Sequence, residues 1–128
     1  MTAAYAIDAS YALAFLLPDE KNTDTDAVFA RYSRGECALF APHLLPFEAL
    51  NGLKSAVARK RLNRETAEQL ARGFFDLQIP LEEIDFAQAF KIAHQHNLSL
   101  YDAAYVQLAR ETRAPLLTMD SRLRKLCQ

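Results

Sequence analysis

The chain has 128 residues, 51% hydrophobic and 24% charged, with 3 Gly and 5 Pro. That makeup is globular, excludes disordered and collagen-like classes, and at this length fits one domain over residues 1–128 that folds without disulfides or structural metal. A formal net charge of −1 excludes a uniformly basic nucleic-acid coat.

Tyr5-Ala6-Ile7 is a short apolar run closed by Asp8, and Ser10 to Leu17 is helix-like until Pro18 stops it. Thr23 to Ser33 is a second helix, with Asn22 as its N-cap and Gly35 as its stop. Cys37 to Phe40 is a strand. Pro46 starts a helix to about Lys60, with Phe47, Leu50, Leu53 and Val57 as its buried stripe and Glu48, Asn51, Gly52 and Ser55 on another face. Asn63 caps a helix to about Leu77, and Ile79-Pro80-Leu81 is a brief extended segment that Pro80 places at a sheet edge. Asp85 caps the helix Phe86 to His94, and Ser99 caps Leu100 to Thr112, which ends before Pro115. Leu116 to Thr118 is the last strand and Ser121 to Leu126 the last helix. Short strands alternating with helices predict an α/β fold with a mainly parallel sheet.

In such sheets ligands bind outside the carboxyl ends of the strands. Asp8 follows the first strand, Asp120 follows the last, and Asp102 opens the helix before it; Glu48 joins them if its helix borders the same strand ends. Taken singly, Asp8 and Asp120 have ordinary roles as helix caps, Glu48 as an acid at a helix start, and Asp102 as part of the box Ser99-x-x-Asp102. Together they predict a shared pocket whose repulsion calls for a cation. Oxygen-only ligands favour Mg²⁺ or Mn²⁺ over zinc, and phosphodiester chemistry follows from that choice.

These residues carry a resemblance. Ile7-Asp8-Ala9-Ser10, Glu48 within Pro46-Phe47-Glu48-Ala49-Leu50, Tyr101-Asp102-Ala103-Ala104-Tyr105 and Leu116-Leu117-Thr118-Met119-Asp120 resemble, in order and over essentially the whole chain, the PIN-domain nucleases, and most of all the VapC-type toxins of VapBC toxin-antitoxin modules. The resemblance implies a three-layer α/β/α sandwich, and a catalytic Mg²⁺ site of Asp8, Glu48, Asp102 and Asp120 supported by the hydroxyls of Ser10 and Thr118. It also implies endoribonuclease activity, a homodimer and inhibition by a VapB-type antitoxin. Ser121-Arg122 stands where some members carry a further acid.

Residues 51–72 and 110–128 are net basic, while 1–50 and 73–109 are net acidic. Arg59, Lys60, Arg61 and Arg64, with Arg122, Arg124 and Lys125, are candidates for RNA phosphate contact, although solvated helix ends explain each one singly. His94 and His96 lack a third soft ligand at a recognisable spacing and read as surface residues, as His43 reads as a loop residue. Phe74, Phe75, Phe86 and Phe90 read as core or dimer contacts.

Cys37 and Cys127 form no CxxC pair, and no basic leader precedes an apolar stretch. The longest apolar run, Tyr11 to Pro18, is too short to cross a bilayer, so a cytoplasmic protein without membrane association is expected. Haloacid-dehalogenase-like phosphatases need a second Asp where Ser10 stands, receiver domains need paired acids after the first strand, and glycine-rich phosphate loops need more than the three glycines present. The alternative from another class is a non-catalytic PIN-like module that binds RNA or protein.

Overall fold

The structure is a computed structural model and describes residues 2–127. Four strands, β1 (Ala3–Ile7), β2 (Cys37–Pro42), β3 (Leu81–Glu82) and β4 (Leu116–Leu117), form one sheet in the order β3-β2-β1-β4. All pairings are parallel, with Tyr5 opposite Leu39, Ile7 opposite Leu117 and Ala41 opposite Leu81. The helices are α1 (Ala9–Leu16), α2 (Thr23–Ser33), α3 (Leu45–Ala58), α4 (Arg64–Asp76), α5 (Phe86–His96), α6 (Leu100–Thr112) and α7 (Ser121–Lys125), with a 3-10 turn at Pro18–Glu20.

Successive strand residues point to opposite faces, so β1 feeds two cores. Ile7 enters a cluster with Tyr11, Phe29, Leu39, Leu45 and Phe74, contributed largely by α1 to α4. Its neighbour Ala6 enters a second with Ile92, Tyr105, Val106, Leu116 and Leu123, contributed by α5 to α7 and β4. The sheet is thus sandwiched between two helical layers, the expected α/β/α arrangement.

Local signals act where the sequence places them. Asn22, Asn63, Asp85 and Ser99 each cap a helix by accepting a backbone N–H, and Gly35 (φ 73°) follows the end of α2. Pro80 precedes a two-residue edge strand, and its carbonyl accepts the Ala41 N–H at 3.1 Å. His43 sits in a turn with Nδ1 3.1 Å from the Glu82 carbonyl oxygen.

The stripe expected for α3 needs correction. Its buried residues are Leu45, Ala49, Leu53 and Ala56, whereas Phe47 is 76% exposed. The helix starts at Leu45, and Phe47 lies two positions, about 200°, around the axis from it. Small alanines fill the inward face because α1 passes close by. A Cβ on Gly52 would stand 2.3 Å from Leu13 Cδ1, so the two helices meet at that glycine. Phe86 and Phe90 are likewise exposed, at 70% and 60%, so the core half of their expectation falls; Phe74 is buried and Phe75 half-exposed. No helix among the described residues is long and apolar enough to cross a membrane.

Candidate active site

Asp8 is the first residue beyond β1, held in register by its N–H to the Leu117 carbonyl at 3.2 Å. It is 6% exposed and caps α1: Oδ1 accepts the Tyr11 N–H at 3.0 Å and the Ser10 hydroxyl at 2.7 Å, and Oδ2 accepts the Thr118 hydroxyl. Thr118 Oγ1 also accepts the Asp120 N–H at 3.0 Å, and Ser10 Oγ accepts the Met119 N–H at 3.0 Å. These bonds tie the end of β1 to the loop after β4, over more than a hundred residues of chain. Parallel pairing of β1 with β4 brings the two ends together.

Asp120 caps α7 through Oδ1, which accepts the N–H groups of Arg122 and Leu123 at 2.8 and 3.3 Å. Asp102 stands in the first turn of α6. Its N–H donates to Ser99 Oγ at 3.0 Å, but among the described residues its carboxylate makes no return bond, so only half of the capping box forms. The acid is left to the pocket. Glu48, in the first turn of α3, accepts the Tyr105 hydroxyl on Oε1 at 2.7 Å.

Asp8, Ser10, Glu48, Asp102 and Asp120 line one concavity of about 160 Å³, closed by Ala9, Tyr105 and Leu123. Thr118 backs it through Asp8. Sequence reasoning assigned no role to Tyr105: positions 102 and 105 share a helix face, but the partner of its hydroxyl, Glu48, lies 57 positions away.

The electrostatics follow from crowding acids into a partly dry hollow. Burial, chiefly, pushes Asp8 above its ordinary 3.8, against the bonds from Thr118, Ser10 and Tyr11, with Asp120 adding to the rise. Burial also raises Glu48, opposed by the Tyr105 bond and helped by Asp102 and Asp8. Asp102 rises through burial and the charges of Asp120 and Asp8, while Arg122 pulls it down. The folded state therefore binds protons more tightly than the unfolded chain, and by linkage stability falls as pH rises through these raised values. Ion-free protein is expected to melt higher just above the ordinary carboxylate values than at neutral pH, read by calorimetry in EDTA. The salt-bridged Asp19 and Glu36 are lowered instead, so their loss begins below this window. A melting temperature that instead rises toward neutral pH would show that the pocket does not disfavour ionised carboxylates.

Among the described residues, no three His, Cys, Asp or Glu side chains are already gathered around one metal position. The four acids form a wall instead, with Asp8 fixed by its hydroxyl donors and Asp120 by the helix it caps. The donor set still fits a hard divalent cation: it is all oxygen, mutually repulsive and open to solvent at Asp120, and Mg²⁺ is commonly held by one or two carboxylates with waters completing its shell.

The basic candidates separate. Arg122 acts on Asp102. Arg59, Lys60 and Arg61 lie at and beyond the other end of α3, with Arg59 about 16 Å along the axis from Glu48. Arg61 is held by Asp19 at 2.8 Å and Glu20 at 2.7 Å, which neutralises much of its charge. Arg124 donates to the Thr118 carbonyl at 2.7 Å and so braces the loop carrying Asp120.

Acids gathered at the carboxyl edge of a parallel sheet, between two helical layers, are what the earlier resemblance anticipates. Residues 5–128 match the family model of the PIN domain, and the chain belongs to that family. Its relatives there are VapC ribonucleases. The chain is 33% identical over 119 residues to VapC ribonuclease Mb0985 of Mycobacterium bovis, covering 91% of this chain and 86% of that one. To Ribonuclease VapC3 of Pyrobaculum aerophilum it is 27% identical over 121 residues, covering 91% and 89%. The fold is shared with the crystal structure of PAE2754 from Pyrobaculum aerophilum, at a TM-score of 0.78 and 21% identity, over 98% of this chain and 81% of that one. It is also shared with Mycobacterium tuberculosis VapC20, described as a sarcin-ricin loop cleaving toxin, at 0.64 and 13%, over 93% and 92%.

Proposed function

We propose that the protein, as a single PIN domain, is a Mg²⁺-dependent endoribonuclease and the toxin of a type II toxin-antitoxin pair. It acts in the cytoplasm and is restrained by a VapB-type antitoxin. The observation that carries this reading is the convergence of Asp8, Glu48, Asp102 and Asp120 on one solvent-connected hollow. Kinship with the VapC ribonucleases supplies the RNA substrate and the antitoxin.

Asp8, Asp102, Asp120 and Glu48 would hold the ion, with Mn²⁺ as a substitute. When bound, Mg²⁺ supplies neutralisation of phosphate charge and activation of a water. The chain does the rest. Ser10 and Thr118 fix the carboxylate of Asp8, so that it meets the ion without a search through rotamers. Glu48 is bonded by Tyr105 through Oε1, which leaves Oε2 as the oxygen it would turn to the ion. Arg122 offers its charge to a phosphate beside Asp102, and Arg59 and Lys60 extend the track, with Arg61 weakened by its acidic partners.

A homodimer completes the reading. Phe86, Leu100 and Tyr101 are exposed around one hollow of about 610 Å³, and Phe90 follows Phe86 by one helical turn, an apolar surface suited to a second copy.

Incubating purified protein with a mixed RNA pool tests the enzyme directly. Cleavage is expected with Mg²⁺, lost in EDTA and restored by Mn²⁺. Cleavage that persists in EDTA overturns metal dependence, and well-folded protein that binds RNA without cutting it favours the non-catalytic module.

A further inference from the structure

Tyr105 belongs to the α5 to α7 core and is 1% exposed. The other buried members of that cluster are Ala, Ile, Leu and Val. A single hydroxyl in an apolar cluster costs stability unless it is bonded, so the place would suit phenylalanine better on packing alone. The hydroxyl instead donates to Glu48 Oε1 at 2.7 Å, joining residues 57 positions apart on α6 and α3. Both side chains line the acidic hollow.

We propose that Tyr105 is a positioning residue: its phenol holds Glu48 at the pocket wall beside Asp102 and leaves Oε2 as the oxygen presented to the divalent cation. The inference rests on reading the hollow as a cation site. Three features carry it. Glu48 is only half-buried, and its flexible side chain would otherwise swing toward water, away from Asp102 and Asp8, which repel it. The phenol, packed in the core, is a rigid donor with little freedom to lose. Asp102 and Tyr105 share one face of α6, so the helix that carries one acid also fixes another acid from α3. Hydrogen bonds of this kind to ligating carboxylates typically change metal affinity by about 10–100-fold.

The test is an Mn²⁺ titration of RNA-free protein, read as the rise in melting temperature, for wild type, Tyr105→Phe, Glu48→Asp, Glu48→Gln and Tyr105→Phe with Glu48→Gln. Tyr105→Phe is expected to raise the Mn²⁺ midpoint about tenfold or more. The double variant should be no worse than Glu48→Gln, because Tyr105 acts through Glu48. Melting without ion reports any loss of folding separately. Should Tyr105→Phe fail to fold, Glu48→Asp carries the test: it keeps the charge but withdraws the carboxylate from the phenol by one methylene, and its midpoint should rise comparably. A midpoint within twofold of wild type in the folded variants, or additive effects in the double variant, overturns the positioning role. A wild-type protein with no response to Mn²⁺ overturns the cation site itself.

Discussion

Asp8→Asn is expected to reduce Mg²⁺-dependent RNA cleavage by a factor on the order of 10²–10³ while leaving ion-free protein as stable as wild type or more so. The activity loss follows from removing one negative ligand from the ion's position, worth roughly 3–4 kcal/mol of transition-state stabilisation. The stability expectation has a different source. Asn keeps the oxygen that accepts the Tyr11 N–H and the Ser10 hydroxyl, and its amide group replaces the oxygen facing Thr118, whose hydroxyl turns from donor to acceptor. The buried charge is gone, and with it the repulsion from Asp120. Single-turnover cleavage and EDTA melts on the same preparation separate the two effects. A variant that cleaves normally removes Asp8 from the site, and one that melts well below wild type makes its role structural.

Phe29→Ala is expected to cost about 3–5 kcal/mol, against a total stability of about 5–15 kcal/mol for a protein of ordinary stability. Phe29 is 2% exposed and stacks on Phe15 with ring centroids 4.1 Å apart and on Tyr11 at 6.1 Å. Both rings belong to α1, the helix that begins at Asp8 and carries Ser10. The truncation therefore leaves a cavity beneath the element that presents the first acid, lined by the Phe15 and Tyr11 rings that lose their stacking partner. Denaturant unfolding should show the lowered midpoint with an unchanged slope. A loss below about 1 kcal/mol would mean that α1 resettles on α2 without the ring.

The contrast between the two substitutions reflects what kinds of information the chain carries locally. Asp8, Asn22, Asn63, Asp85, Ser99 and Asp120 were legible as caps, and all six cap helices. A cap needs only a side-chain oxygen and the N–H groups two or three residues ahead of it. The short strands were legible because apolar runs bounded by helices have few other placements. Asp8 and Asp120 were legible as site candidates for the same reason: Asp8 directly follows β1 and Asp120 comes a few residues after β4, and a parallel sheet aligns its strand ends.

Other features needed contacts between distant parts of the chain. Phe47 reads as a buried residue until α1 closes against Gly52 and the inward face of α3 turns out to be Leu45, Ala49, Leu53 and Ala56. Arg61 reads as a free cation until Asp19 and Glu20, some forty residues earlier, fold back onto it. Asp102 has two readings in sequence, cap or ligand, and the missing half of its capping box leaves the carboxylate to the pocket. Tyr105 has no legible role before α3 delivers Glu48 to its hydroxyl. Caps, strand runs and the ordered acids were set by the chain itself, because their physics spans a few residues. The buried face of α3, the pairing of Arg61 and the Tyr105–Glu48 bond were set by folding, because each depends on which surfaces close packing leaves dry.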